Sequence, residues 1–185
     1  GFAQGFDHYD DYTVSSASER FSHRAVTSPR LLDAVTRWLD ERDSLRDERP
    51  FFLFVHMWDP HYDFVPPPPF DRRFDPDYAG AVTGDDFERG GAVHAGMDPR
   101  DLARVVARCD GEIAFTDLHL GRILDRLRAT GVLDRTLVVV TGDHGEEFFE
   151  HGTKGHRQNL YDTVLRVPFV MRLPGAIPAG VVGER

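Results

Sequence analysis

A single cysteine, Cys109, stands among 185 residues, so neither an internal disulfide framework nor a multi-cysteine zinc site can form. Basic residues are in the minority. There are 22 Lys and Arg against 31 Asp and Glu, a formal charge of -9. A chain this acidic lacks the electrostatic footprint of a general nucleic-acid binder, and no nucleic-acid partner is expected. An anionic substrate is still allowed, because a metal ion and a few basic side chains outweigh the global sign locally. No apolar run approaches the length of a membrane span, and no positive-then-apolar leader opens the sequence. An initial methionine is also missing. The chain opens on Gly1-Phe-Ala-Gln-Gly-Phe-Asp7 and stops at Arg185, just past an apolar segment, so it reads as an internal piece of a longer protein.

What is present is ordinary for a globular domain: 41% hydrophobic and 29% charged residues, with a mean hydropathy of -0.40. The length suits one domain with a real core. Ser28-Pro29 signals a helix start, with serine as the cap and proline in the first helical turn. Leu31, Leu32, Val35, Trp38 and Leu39 recur at helical spacing, so a helix is expected over residues 28–42. Pro50-Phe-Phe-Leu-Phe-Val-His-Met57 is a continuous apolar run of the kind buried on both faces of a parallel sheet. Pro66 to Pro69 form a stiff extended segment, and residues 80–96, rich in glycine, form a loop.

Asp98-Pro99 begins the longest helix, which Thr130-Gly131 ends. Leu102, Val105, Val106, Cys109, Ile113, Leu120, Leu124 and Leu127 are expected along its buried face. Thr136-Leu-Val-Val-Val140 and Val167-Pro-Phe-Val-Met-Arg172 are further buried strands. Apolar strands alternating with helices predict an α/β fold with a largely parallel sheet. In such a sheet ligands gather at the carboxyl ends of the strands. Two polar clusters occupy that position, residues 56–61 and 141–156.

Asp143-His144-Gly145 directly follows an apolar strand. A carboxylate and a neutral imidazole there can face one cation, with the flanking glycines allowing a tight turn. The plainer alternative is a turn capped by Asp143 beside a surface histidine. In Glu150-His-Gly-Thr-Lys-Gly-His-Arg157, Lys154 or His156 can neutralise an anionic group, and a histidine can protonate a leaving oxygen. A solvated loop with incidental histidines is the alternative. His61, beyond Asp59-Pro60, is placed for substrate contact, whereas His56 within the strand reads as a core residue. Trp58 and Tyr62 are pocket walls or core. Cys109 reads as a buried, inert thiol. Asp110 and Glu112 lie roughly 200° apart on a helix and do not form a carboxylate pair. Glu146, Glu147 and Glu150 read as a solvated face, Glu146 with a chance of orienting a ligand histidine.

Taken in order, Gly5-Phe-Asp7, residues 50–61, Asp110-Gly-Glu-Ile-Ala-Phe-Thr-Asp117, Val138-Val-Val-Thr-Gly-Asp-His-Gly-Glu146, His151-Gly-Thr-Lys-Gly-His156 and Leu160-Tyr-Asp-Thr-Val-Leu-Arg-Val-Pro168 resemble the sulfatase family of the alkaline-phosphatase superfamily. The resemblance implies an incomplete alkaline-phosphatase-like three-layer sandwich with a mostly parallel sheet, residues 1–185 being part of a single catalytic domain. It implies metal ligation by Asp143 and His144, and contact of His61 and of Lys154 or His156 with the ester. Arg166-Val-Pro168 would fix the next strand.

The implied reaction is metal-dependent hydrolysis of a small-molecule or carbohydrate sulfate ester. Phosphodiester or phosphonate monoester hydrolysis is the near alternative, and a catalytically dead anion- or partner-binding homologue is the alternative of another class. The implied cofactor is one divalent ion: calcium, or manganese, zinc or iron because an imidazole stands at position 144. The family's nucleophile, a formylglycine made within Cys/Ser-x-Pro-x-Arg, has no counterpart here and is expected upstream, so the 185 residues alone are expected to show no turnover.

Overall fold

The computed structural model describes residues 3–11, 26–85, 87–88 and 91–183. Two long helices dominate it. The first, α1 (Ser28–Ser44), carries proline in its first turn and buries Leu31, Val35 and Leu39. The expected local serine cap is replaced by a distant one. Thr27 is the N-cap residue and its side chain caps nothing. Instead the buried carboxylate of Asp59 accepts the amides of Thr27 at 3.1 Å and Ser28 at 2.9 Å, and the Ser28 hydroxyl at 2.7 Å. A negative charge there also opposes the positive end of the helix dipole.

The second helix, α2 (Pro99–Ala129), starts as expected, with the Asp98 carboxylate accepting the Arg100 amide at 2.7 Å. It ends at Thr130 and at Gly131, whose φ of 72° favours glycine. Its buried face is rotated from the expected one. Val105, Phe115, Ile123 and Leu127 are buried together with Arg104, Arg108, Glu112 and His119, while Ile113 is 50% exposed. Polar residues hold the inner positions because each has a partner. Arg108 donates through Nε to the Phe64 carbonyl at 2.8 Å, and His119 Nδ1 to that of Phe115 at 2.8 Å. Such partners remove the penalty of burying a polar group. Gly111 lets the proline segment approach, since a Cβ there would lie 2.6 Å from the Phe70 carbonyl oxygen.

The core divides in two. Leu31, Val35 and Leu39 of α1 meet Ile123 and Leu127 of α2 and Leu133 beyond it. Tyr62, Phe64, Phe87, Val93 and Val105 form a second cluster, against which Cys109 and Phe148 pack. Burial pushes the Cys109 thiol well up from its ordinary value, which disfavours the reactive thiolate.

The expected three-layer sandwich about a mostly parallel sheet is corrected. Among the described residues there is one two-stranded antiparallel sheet of β1 (Val138–Thr141) and β2 (Phe169–Arg172), with Val138 opposite Arg172 and Thr141 opposite Phe169. A four-residue helix, α3 (Asp162–Leu165), precedes β2. Residues 51–57 are extended but join no strand. Phe51, Leu53, Val55 and Met57 pack on the first core cluster, while Phe52 and Phe54 are 75% and 68% exposed. His56, expected in the core, is exposed with them. Apolar residues on both sides of a run suggested a strand covered on both faces; they do not specify which backbone lies alongside. An antiparallel pair needs only one covered face, as the alternating burial of β1 shows, while the consecutive residues Phe169, Val170 and Met171 leave β2 exposed on both faces.

Asp59→Ala leaves the α1 amides without their acceptor inside the protein. We expect a loss of roughly 3 kcal/mol in unfolding free energy by urea denaturation, and an unchanged midpoint would refute the distant cap.

Candidate active site

Three chain segments meet where β1 ends. The first is the Asp143-His144-Gly145 turn. The Gly145 amide donates to the Val164 carbonyl at 2.7 Å, and a Cβ at Gly145 would run into the Thr163 carbonyl oxygen. Only glycine lets this turn sit against α3. Asp143 is exposed at its side chain to 78% and His144 to 35%. His144 Nδ1 donates to the Gly145 carbonyl at 2.8 Å. That bond makes Nε2 the lone-pair nitrogen, and it lies 3.8 Å from Asp143 Oδ1.

The second segment is the loop from Asp59 to Val65. His61 Nδ1 donates to the Tyr62 carbonyl at 2.6 Å, which again leaves Nε2 as the acceptor nitrogen. Trp58 stacks on the His61 ring, 4.8 Å between centroids and 16° from parallel. Tyr62, 2% exposed, belongs to the core, and its hydroxyl receives Arg157. The loop amides end on Glu112 of α2, with His61 N at 3.1 Å and Val65 N at 2.7 Å from its carboxylate oxygens. Burial pushes this carboxyl up to about 8, against the two amide bonds that favour its charged form.

The third segment runs from Glu146 to Asn159. Glu147 is fully buried and accepts the His151 amide at 2.8 Å together with the Asn159 side-chain amide. This carboxylate folds the loop around itself and sets the position of His156. The His156 ring stacks on that of His144, with centroids 3.7 Å apart, and stands 6.2 Å from that of His61. Glu146 is 15% exposed at its side chain, and its Oε1 lies 3.2 Å from His156 Nδ1. Burial pushes Glu146 up to about 8. Burial, followed by the neighbouring imidazoles of His144 and His61, lowers His156. Both effects favour uncharged forms.

The structure brings the rings of His61, His144 and His156 together, although residues 51–57, expected to form the strand before His61, join no strand. Lys154 has another engagement, donating through Nζ to the Val93 carbonyl at 2.7 Å over the Phe87 ring. The solvated-face reading of Glu146 and Glu147 is corrected, since one backs an imidazole and the other is buried. Glu150 stays exposed. Glu112 and Glu147 are residues that sequence reasoning missed. Glu112 had a signal: it falls on the helical row of Val105, Arg108, Phe115 and His119, all of them buried. Among the described residues no group of three or more His, Cys, Asp or Glu side chains is arranged to hold a metal ion. Asp143 and His144 offer two donors.

The likeness to solved structures makes this an α/β alkaline-phosphatase-like fold, with the polar cluster where β1 ends. The sequence profile described as Sulfatase matches residues 2–184, and the chain belongs to the sulfatase family. It is 29% identical over 157 residues to the multifunctional alkaline phosphatase superfamily protein PehA of Trinickia caryophylli, covering 70% of this chain and 30% of that protein. It is 30% identical over 165 residues to an arylsulfatase of Clostridium perfringens, covering 80% and 34%. Among solved structures, the phosphonate monoester hydrolase of Agrobacterium radiobacter superposes with a TM-score of 0.64 at 28% identity, over 82% of this chain and 34% of the other. The chain spans about one third of the length of these relatives.

Gly145→Ala should cost roughly 1–3 kcal/mol in a denaturant melt, the scale of an overpacked contact. Gly142→Ala, whose Cβ would meet nothing nearer than 3.5 Å, should be nearly neutral. Equal effects at the two positions would show that the close approach at Gly145 is unimportant.

Proposed function

We propose that the protein carrying this chain hydrolyses sulfate esters in a metal-dependent reaction. The observation that carries this reading is the Asp143–His144 pair, its donor atoms 3.8 Å apart beside the His156 ring. Two bonds of about 2.1 Å, the usual length from zinc to nitrogen or oxygen, span that gap with one ion between them. One carboxylate oxygen and one imidazole nitrogen suit manganese or zinc at least as well as calcium. A bound divalent ion would polarise the ester oxygens and favour the deprotonated form of an attacking hydroxyl. That hydroxyl is proposed to belong to a formylglycine outside residues 1–185.

The chain's own residues take the remaining roles. His61 and His156 present their rings toward the position an anionic ester would take beside Asp143 and His144. With its Nδ1 proton committed to the Tyr62 carbonyl, His61 contacts an ester oxygen through Nε2 once protonated, and the anion itself favours that protonation. His156 is the better placed of the two basic candidates to pass its Nε2 proton to the leaving oxygen while Glu146, 3.2 Å from Nδ1, gives its own carboxyl proton to that nitrogen. Lys154, engaged with Val93, takes the lesser part.

A second reading, phosphonate monoester or phosphodiester hydrolysis, is favoured by the phosphonate monoester hydrolase likeness and by the histidine at position 144. The substrate in either case is a small-molecule or carbohydrate ester. The deciding experiment is a panel of aryl sulfates, phosphodiesters and phosphonates offered to the complete protein, with metal analysis of the same sample. The highest kcat/KM is expected on a sulfate, and cleavage of no ester would favour the dead, anion-binding homologue. Asp143→Ala should lose bound metal and ester cleavage together, by more than the roughly 100-fold that loss of even an outer ligand contact can cost. Full activity and metal content in that variant would remove the central claim.

A further inference from the structure

One face of α2 holds the backbone of the loop that presents His61 by hydrogen bonds, beside the packing of Tyr62 and Phe64 on Val105. Arg108, Glu112 and Thr116 succeed one another at four-residue spacing and so stand in one row along the helix. Thr116 Oγ1 donates to the Asp59 carbonyl at 2.8 Å. Glu112 accepts the His61 and Val65 amides at 3.1 and 2.7 Å, and Arg108 Nε donates to the Phe64 carbonyl at 2.8 Å. The loop from 59 to 65 has no strand ladder to fix it, so this row of side chains takes the ladder's place.

We propose that Glu112 is a positioning residue for His61, its buried carboxylate gripping the loop at the amides of His61 and Val65 so that the imidazole is held beside His156. The proposal rests on the role given to His61 above. Glu112 occupies the centre of the row and is 8% exposed. Its two oxygens accept two different amides, and one of those belongs to His61 itself. The His61 ring is tied in turn to the neighbouring carbonyl of Tyr62, so its rotamer follows the backbone. A shift of the His61 backbone therefore shifts the ring as a whole. The bonds of Arg108 and Thr116 described above go to the carbonyls of Phe64 and Asp59, whereas Glu112 takes the amide of residue 61 itself. Glu112 reaches no reacting atom in this arrangement, so its effect on turnover runs through His61 alone.

The test is a double-mutant cycle in the complete protein on the best ester of the panel, joined to hydrogen exchange. Glu112→Ala should lower kcat/KM by about 10- to 100-fold, the scale of a misplacement near 1 Å. On a His61→Ala background the same change should add less than about 3-fold, because the two residues act as one unit. Equal losses in both backgrounds would mean a merely structural carboxylate and would overturn the proposal.

Glu112→Gln keeps one acceptor oxygen at nearly the same volume. It should fall between wild type and Glu112→Ala, and it carries the same cycle if the alanine variant does not fold. Amide exchange over residues 59–65 should quicken roughly 10-fold or more in either variant while residues 147–159 keep their protection. Unchanged exchange over 59–65 would refute the grip whatever the activity. If His61→Ala alone leaves ester cleavage intact, or no ester is cleaved, the functional reading of His61 fails, and exchange still decides whether Glu112 holds the loop.

Discussion

Asp59 joins three parts of the molecule at one residue. Its carboxylate closes the start of α1, taking the amides of Thr27 and Ser28, while its carbonyl receives Thr116 of α2. The next residues are Pro60 and His61. The start of α1 and the path of the site loop are therefore tied to α2 by the same few bonds, beside the apolar packing of the two helices. A helix start must have its amides satisfied somewhere. Here they are satisfied by the loop that bears a candidate site residue, which ties the stability of the helix pair to the geometry of the site.

Buried carboxylates repeat this arrangement. Glu112 gathers the amides of the 59–65 loop, and Glu147 those of the 147–159 loop. In both, irregular backbone takes the hydrogen bonds that it would find with a neighbouring strand in a sheet. An acidic side chain suits the task because it offers two acceptor oxygens and no donor when ionised. At Glu147 the cost of burial is outweighed by the hydrogen bonds, which hold the carboxyl below its ordinary value, whereas at Glu112 burial outweighs them. Some of the chain's acidic excess is thus internal scaffolding rather than a solvated surface.

How much of this was legible in the sequence depended on range. Both long helices were, because their signals are local: Pro29 and the spacing of Leu31, Val35 and Leu39 for α1, and Asp98-Pro99 with Thr130-Gly131 for α2. The strands expected over 136–140 and 167–172 form over 138–141 and 169–172, but neither their exposure nor their partnership was legible, since apolar content carries no record of direction or neighbour. Residues 51–57 matched a buried strand in composition and proved to be an extended segment with one covered face. Histidines near a strand end were legible as candidates, and the structure sets the rings of His61, His144 and His156 together. Spacing left Lys154 and His156 equivalent; in the structure one reaches the Val93 carbonyl and the other lies on the His144 ring. Glu112 and Glu147 escaped because a charged residue is taken as solvated until its partners, distant in sequence or drawn from the backbone, are known.

The seat of Gly145 bears on how such chains can be recognised across long divergence. The turn bearing Asp143 and His144 rests on main-chain atoms, the carbonyls of Thr163 and Val164. Any residue supplies a carbonyl, so positions 163 and 164 are free to drift as far as this contact is concerned, while the glycine is not. A comparison that weights paired substitutions would find no covariation across this contact, although it fixes the site. Glycine at 145, measured from Asp143, is the better marker.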